Sequence, residues 1–460
     1  MDKYLTRPKA EPIAQKGRFE KFNLSENPFP SSPFVNPESN DARNNGDIYE
    51  KTIRAEEFTN ITKNFLAVPQ SDMNHLRLGY IMDTSYIGRG NGKSAFLVNL
   101  QKEINRDFGL TISNGLNKCF ALILSPAPKG MTKTFDSFVD LLANAIFRSN
   151  IVNESLTILR LEAVISLNPK FNIKKNFSSE EDMKQKINSA DWYKSSEINF
   201  REVTQKILTN SYLQSLPTDF PLNQTGLFDF EPPTQKLFED YYLNSKRGKQ
   251  RIEFVFTHLV NLFLAAGISG AYVFVDDFER IPDFQSERQK RDFALELRTC
   301  LFDGLYTSAK MGFYVFLLIL HAGVPRLIQK AWEESGLEHR APIFFKGIPR
   351  NVIRFEKITP DHVSLLIRKY LNEYRIKPTK ASDLSPFNEA AISMIAETSE
   401  YNASRILKKA YEILERATDS DVKTINTTFI KSSESGSSME ERPSSGIHDA
   451  PTVDLKDKAE

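Results

Sequence analysis

The sequence predicts an α/β protein built on a parallel sheet with helices on its faces. Short apolar strand patterns alternate with amphipathic helix patterns, a glycine-rich segment joins the first strand to the first helix, and only helix patterns follow Thr359. Of the 460 residues, 40% are hydrophobic and 26% are charged, which is typical of a folded globular chain. The formal net charge of +1 excludes a protein that binds polyanions over its whole surface.

The chain begins with a predicted extended leader, residues 1–60. The segment FNLSENPFPSSPFVNPESNDARNNG is rich in proline, asparagine and serine, and proline forbids regular helix. The segment RLGYIMD, which ends at Asp83, predicts the first strand, and a helix is predicted to begin near Lys93. A second strand is predicted from Cys119, before the helix pattern TFDSFVDLLANAIF.

Residues 151–251 are predicted to be a polar, mostly helical insertion, because strand patterns fade there until AYVFVDD. The sheet-forming core therefore comprises residues 61–150 and 252–358. The apolar stretch from Phe254 to Val275 has the length of a membrane span. His258 and Asn261 interrupt it, and the breaker segment GISG divides it, so we expect a helix followed by a strand.

The remaining core is predicted to contain two helices and two strands before a separate helical domain. The core elements are a helix from Ser286 to Leu305, a strand from Phe313 to Leu320, a helix around Trp332 and the strand NVIRF. Residues 359–431 form the predicted helical domain. The tail, residues 432–460, lacks aromatic residues and is mainly acidic, so it is expected to be disordered.

The cysteines and the N-terminus indicate a cytoplasmic protein. Cys119 and Cys300 are too few for a disulfide framework, and no paired-cysteine metal spacing is present. The first residues carry charge throughout and contain no apolar segment, so no secretory signal is expected.

The glycine-rich segment has the composition and position of a phosphate-binding loop. Its residues are Gly88, Arg89, Gly90, Asn91, Gly92, Lys93 and Ser94. Between a strand and a helix, the glycines let backbone N–H groups surround phosphate, Lys93 supplies a positive charge, and the Ser94 hydroxyl can bind Mg²⁺. The full pattern has glycine where Ile87 stands. The alternative is a flexible turn that happens to precede lysine and serine. The preferred fold class is therefore a P-loop NTPase sheet flanked by helices.

A site of this kind needs a carboxylate at the end of a neighbouring strand, and AYVFVDDFER supplies it. Asp276 is the candidate metal ligand. Asp277 and Glu279 are candidates for the group that orients the attacking water. The alternative is that both aspartates only cap the strand and open a turn.

With these two motifs, residues Asn60 to Ala417 resemble the AAA+ and STAND group of P-loop ATPases. GFYVFLLILHAGVP resembles the strand that ends in a polar sensor residue, which places His321 at that position; the alternative is an ordinary strand-end histidine. NVIRFEKITPDHVSLLIRKYL resembles the passage into the helical lid of origin-recognition-type and transposition-helper ATPases. YNASRILKKAYEILERA resembles the second-sensor helix, which implies that Arg405 contacts the γ-phosphate; the alternative is a surface charge.

The same resemblance implies an arginine finger from an adjacent subunit, and hence a homo-oligomer. The candidates are Arg326, Arg340 and Arg350, of which Arg340 is preferred. VDDFER also resembles the signature of KAP-type NTPases, many of which act in defence against phage. Unlike many KAP proteins, this chain has a polar insertion. Because Asp277 stands where fast AAA+ hydrolases have glutamate, the resemblance leaves open a slow, switch-like ATPase.

Two functions are expected from these features, both with ATP and Mg²⁺ as ligands. The first is an oligomeric ATPase that acts on nucleic acid, in phage defence or mobile-element biology. Its candidate phosphate-tracking residues are Lys174, Lys175, Lys184, Lys186, Lys246, Arg247, Lys249 and Arg251. The second is a signalling or scaffold switch that recruits a protein effector through the insertion, the leader or the tail; the near-neutral net charge favours it. A small-molecule kinase is disfavoured, because it has no evident use for a separate helical lid.

Overall fold

The computed structural model describes residues 17–69, 75–83, 90–223, 233–321, 323–343, 349–380 and 382–435. Its strands are β1 (Leu78–Asp83), β2 (Cys119–Leu124), β3 (Gly270–Val275), β4 (Tyr314–Leu320) and β5 (Val352–Phe355). They form a five-stranded sheet in the order β2-β3-β4-β1-β5, and every pairing is parallel. The predicted α/β class with a parallel sheet is confirmed.

The central strands are buried on both faces of the sheet. Every residue of β3 and of β4 is buried, which explains why AYVFV and FYVFLLIL are continuous apolar runs without alternation. Parallel strands need crossover connections, and the helices of those connections cover the two faces.

Helices pack on both sides of the sheet. One face is covered by α1 (Ala55–Ile61), a π-helical turn (Thr62–Leu66) and α2 (Lys93–Arg106). The other face carries α3 (Phe135–Arg148), α4 (Ile151–Leu167), α11 (Leu259–Ala265), α12 (Glu287–Leu301), α13 (Thr307–Met311), α14 (Val324–Glu334) and α15 (Leu337–Arg340). The apolar stretch from Phe254 divides as predicted, with helical residues up to Ala265 and β3 from Gly270.

The described residues of the insertion form helices joined by turns and irregular segments, with no strand among them. After α4 it contains α5 (Ile173–Asn176), α6 (Glu180–Ile187), α7 (Ala190–Ser195), α8 (Phe200–Leu208), α9 (Gln235–Asn244) and α10 (Lys249–Glu253). Its polar sequence conceals a buried apolar set, including Ile187, Tyr193 and Val203, that continues the core of the sheet. The buried guanidinium of Arg160 donates to the Asn188 side chain and the Pro233 carbonyl, and so ties the insertion together.

The C-terminal helices form a second core together with the N-terminal leader. They are α16 (Pro360–Glu373), α17 (Glu389–Thr398), α18 (Ala403–Thr418) and α19 (Thr427–Ser435). Against them pack Phe19, Phe22, Leu24, Phe29 and Ile48, all buried. The leader thus docks on the helical domain of its own chain.

Two boundaries differ from expectation. Lys51–Arg54 is a 3-10 helix and α1 follows it, so the end of the leader is helical; the prolines that forbid helix stop at Pro37. Helix α19 continues to Ser435, into the predicted tail, and the rest of the tail lies outside the described residues. Within the described part of the chain, no helix combines the length and the apolarity needed to cross a membrane.

Candidate functional site

The candidate site lies at the carboxyl edge of the sheet, where the strand order reverses. From β1 the chain crosses over β4 and β3 to reach β2, whereas from β4 it crosses over β1 to reach β5. The segments that leave β1 and β4 therefore move in opposite directions and open a crevice between them. Ligands of open α/β sheets bind at such switch points.

The start of α2 is open to an anion. Gly90 and Gly92 have φ values of +94° and +85°, which residues with a Cβ rarely adopt, and no side chain caps the helix N-terminus. Lys93, the first residue of α2, is buried. Backbone N–H groups and the positive end of the helix dipole therefore converge where a phosphate would bind. The predicted loop residues Gly88 and Arg89 lie outside the described residues.

Three parts of the chain meet at Ser404, near the start of α18. Its backbone N–H donates to the Gly90 carbonyl at 3.0 Å, and its hydroxyl donates to the Pro33 carbonyl of the leader at 3.2 Å. A Cβ on Gly90 would lie 2.5 Å from the Asn402 side-chain oxygen, so only glycine allows this approach. The glycine-rich segment, the helical domain and the leader are thus in direct contact.

A fully buried carboxylate lies beneath the loop. Asp83, the last residue of β1, accepts a hydrogen bond from Lys93 Nζ, one from His321 Nδ1 at 3.2 Å and one from Asn91 Nδ2 at 3.3 Å. Burial acts to raise the pKa of Asp83, but the hydrogen bonds from His321 and Lys93 outweigh it, so the net effect lowers the pKa. Asp83 is therefore ionised, and its single negative charge is shared between Lys93 and His321.

Asp276 follows β3 and faces the same crevice. Its carboxylate accepts a hydrogen bond from the Ser94 side chain and one from the Asp277 backbone N–H at 3.0 Å. Burial, together with the charges of Asp277 and Glu279, raises the pKa of Asp276, whereas the Ser94 hydrogen bond opposes this rise. A cation next to Ser94 and Asp276 would relieve that repulsion, so the two predicted metal ligands fit Mg²⁺.

Asp277 and Glu279 are held by cations of their own chain. Asp277, in a left-handed conformation with φ +49°, contacts Arg280 Nη2 at 2.5 Å, and Arg280 also donates to the Pro126 carbonyl at 3.1 Å. Glu279 Oε1 lies 3.1 Å from His321 Nε2. A positive φ at a non-glycine residue costs backbone energy and is often found at functional sites.

His321 connects the two acidic clusters. Hydrogen bonds from the His321 ring to Asp277, Asp83 and Glu279 raise the pKa of His321 to about 10, so the ring is an imidazolium at neutral pH. Asp277, Glu279 and His321 offer ligand atoms within 4.8 Å of one another, a spacing that could hold a metal ion. An imidazolium at His321 would itself supply positive charge between these carboxylates.

A cavity of about 580 Å³ opens from these polar groups between the core, the leader and the helical domain. At the carboxyl edge of the sheet it is lined by Gly90–Ala95, Ser125, Asp276, Asp277, Arg280 and His321. The rest of the lining combines apolar and polar side chains. The apolar ones include Val35, Ile48, Tyr49, Ile53, Ile358, Leu366, Tyr370 and Leu407, and the polar ones are Arg43, Asn44, Glu50, Arg54 and Ser404. The volume and the apolar lining with a few polar groups are typical of small-molecule sites.

The structure does not bring the two predicted arginines to this site. Arg405 forms an exposed ion pair with Glu400 at 2.9 Å, and Ala403, Ser404 and Leu407 of the same helix line the cavity instead. Helical periodicity explains the difference, because Arg405 points to another face of α18 than Ser404 and Leu407. Arg340 is exposed at the end of α15, and its charge acts on Arg77, which precedes β1 at the opposite edge of the sheet.

Several site residues were not predicted from the sequence. Asp83 could have been, because it is an acidic residue at the end of a predicted parallel strand, on the same edge of the sheet as Asp276. No local pattern marks Arg54 as a site residue. Its buried guanidinium donates to the carbonyls of Asn91 at 3.0 Å and Glu356 at 2.8 Å, which joins the phosphate loop to the segment after β5.

Comparison with known proteins identifies no family for this chain. No protein-family model matches the sequence, and no curated protein matches it significantly.

Proposed function

We propose that the protein is an ATP-binding and ATP-hydrolysing switch of the P-loop class. One observation carries the proposal: Lys93 and Ser94 begin an uncapped helix at the switch point of the sheet, and Ser94 is hydrogen bonded to Asp276 at the end of β3. The groups that would bind phosphate and Mg²⁺ therefore lie within one crevice.

The side chains fit ATP with Mg²⁺. The N–H groups at the start of α2 and the Lys93 ammonium would hold the phosphates, while Ser94 and Asp276 would hold the metal, Asp276 through water. The Mg²⁺ would neutralise charge on the phosphate oxygens. Asp277 or Glu279 would accept a hydrogen bond from the attacking water, once Arg280 or His321 shifts toward the phosphate.

The apolar residues that line the cavity would contact the nucleotide base. Ile48, Tyr49 and Val35 come from the leader, whereas Leu366 and Leu407 come from the helical domain. A base bound between them would contact two segments that already pack on each other. Nucleotide binding would thereby fix the position of the helical domain, which serves as the lid, relative to the core.

Arg405 and Arg340 could each act on a nucleotide under a specific condition. Arg405 would have to leave Glu400 to reach a γ-phosphate. Arg340 would act on the site of an adjacent subunit, so hydrolysis would depend on a homo-oligomer. The resemblance to AAA+ and STAND ATPases, and not the geometry of a single chain, supports both roles.

For the target we retain two candidates, both in the cytoplasm. A nucleic acid is the first, in the setting of phage defence or mobile elements. A protein effector is the second, and it is favoured by the insertion. Lys184 lies within 2.9 Å of Glu154 and Glu180, Lys186 pairs with Asp182, and Arg251 pairs with Asp140, so these cations are already partly neutralised.

The experiment compares Lys93→Ala with Lys102→Ala, a change on the exposed side of the same helix. Binding of ATP·Mg²⁺ is measured by calorimetry, and size is measured by light scattering with and without ATP·Mg²⁺. We expect Lys93→Ala to retain the fold and lose both responses, whereas Lys102→Ala retains them. Wild-type behaviour of Lys93→Ala would refute the site.

The same light-scattering measurement distinguishes the targets when double-stranded DNA is added at low and moderate salt. ATP-dependent assembly that DNA promotes, with an effect that weakens as salt rises, supports the nucleic-acid target. Assembly that requires ATP and is indifferent to DNA supports the protein effector.

A further inference from the structure

The Asp83 carboxylate is a buried charge at the floor of the candidate site. Its side chain has no solvent exposure, and that of Lys93 is 5% exposed. The pair lies between the end of β1 and the start of α2, and His321 and Asn91 complete the set of donors around it. In this position the Asp83 carboxylate forms an ion pair with Lys93, the residue that would bind phosphate in the proposed function.

A buried carboxylate stays ionised only when a cation pairs with it. Asp83 therefore needs Lys93 or His321 beside it, and water cannot replace both. Lys93 cannot give its full charge to a phosphate while it neutralises Asp83. His321 can, however, remain with Asp83 when Lys93 turns away, because its Nδ1 contacts Asp83 and its Nε2 contacts Glu279. The network thus contains one cation that can move to a ligand and one that can stay.

We infer that Asp83 is a positioning residue that pairs with Lys93 in place of phosphate, which we call its stand-in role. It holds Lys93 in the nucleotide-free protein, and it fixes the His321 ring through Nδ1 so that Nε2 points to Glu279. The arriving phosphates take over Lys93, and Asp83 remains paired with His321. This inference rests on the proposed nucleotide site. It adds that Asp83 sets the affinity of that site for nucleotide and balances the charge of Lys93 and His321.

A merely structural role and the stand-in role predict opposite changes in nucleotide affinity. If Asp83 only supports the fold, its loss weakens binding. If Asp83 competes with phosphate for Lys93, neutralising it strengthens binding, because apparent affinity falls by the fraction of molecules whose binding groups are engaged elsewhere. Asp83→Asn keeps the size of the side chain and removes the charge.

The test measures binding of ATP·Mg²⁺ and of ADP·Mg²⁺ by calorimetry, which needs no hydrolysis. For Asp83→Asn we expect about tenfold tighter binding, if Lys93 is engaged in about nine of ten nucleotide-free molecules. The control is Asp303→Asn, which removes the charged partner of Arg298; neither residue lines the cavity, so affinity should not change. Turnover of Asp83→Asn should fall while its affinity rises, since His321 loses its anionic anchor.

The outcomes separate this inference from the proposed function. If the wild-type protein binds no nucleotide, the proposed function fails. If the wild-type protein binds and Asp83→Asn binds equally or more weakly while folded, the stand-in role is overturned and the proposed site stands.

A second measurement tests the inference even if Asp83→Asn is less stable than the wild-type protein. In the absence of nucleotide, the melting temperatures of Asp83→Asn, Lys93→Met and the double variant form a cycle. We expect the double variant to melt at least as high as either single variant, because it leaves no unpaired buried charge between these two positions. Strictly additive losses would mean that Lys93 and Asp83 do not depend on each other, and would overturn the inference.

Discussion

Replacing Gly90 with alanine forces a methyl group into the contact between the phosphate loop and helix α18. The new Cβ would lie 2.5 Å from the Asn402 side-chain oxygen and 2.8 Å from the Ser404 Cβ. Gly92 offers a matched comparison, because its φ is also positive but nothing lies within 4 Å of a Cβ built there. The difference between Gly90→Ala and Gly92→Ala therefore isolates the contact with the helical domain.

The magnitude follows from two separable costs. A left-handed backbone costs a residue with a Cβ about 1–2 kcal/mol, and both variants incur this cost. Forcing a methyl group into a packed contact costs a further ~1–3 kcal/mol, and only Gly90→Ala incurs it. If the helical domain relieves the clash by moving away, the Ser404 N–H loses its hydrogen bond to the Gly90 carbonyl.

Hydrogen exchange of the Ser404 amide measures this opening directly. For Gly90→Ala we expect exchange roughly 5- to 150-fold faster than in Gly92→Ala, since each 1.4 kcal/mol of opening free energy is a factor of ten. Amides in β4 should be protected equally in both variants, because the sheet is not touched. Equal Ser404 exchange in the two variants would show that the loop and α18 are not in contact in solution.

Two further predictions follow from buried charges near the cavity. Arg54→Lys should lower the free energy of unfolding by about 1.5–3 kcal/mol, because one ammonium cannot replace a guanidinium that donates to two carbonyls, whereas the exposed Arg291→Lys should change little; urea titration compares them. His321 has its pKa raised to about 10 in the folded chain, so its contribution to stability is complete below about pH 6.5 and is lost as the pH rises toward 10. Urea titrations at several pH values should show that His321→Gln flattens this part of the wild-type profile, and an unchanged slope would contradict the assignment of His321 as an imidazolium.

Local sequence patterns were sufficient for the strands of the sheet and for several of the helices that cover it. The strands ending at Asp83, Leu320 and Val275 and the helix from Lys93 lie close to their predicted positions, because buried parallel strands are continuous apolar runs and amphipathic helices have a clear period. Ser94 and Asp276 were placed together for a related reason. The carboxyl ends of parallel strands share one edge of the sheet, so residues that follow them become neighbours.

The positions of Arg405 and Arg340 could not be derived in this way. A charged residue on a surface helix has the same local pattern whether it faces a cavity or solvent, and a one-residue step turns it by about 100° around the helix. Arg405 and Ser404 differ by one such step, and Ser404 is the residue that lines the cavity.

Short-range periodicity and glycine content were enough to predict the α/β class, the parallel sheet and a glycine-rich segment before α2. Two features emerge only from the folded structure: the packing of the leader on the C-terminal helices, and the contacts of Asp83 with Lys93 and His321. These contacts join residues that are far apart in the chain, and the local sequence around a residue does not specify its long-range partners. The charge balance of the site is set by that long-range packing, since burial decides which carboxylates and cations must pair.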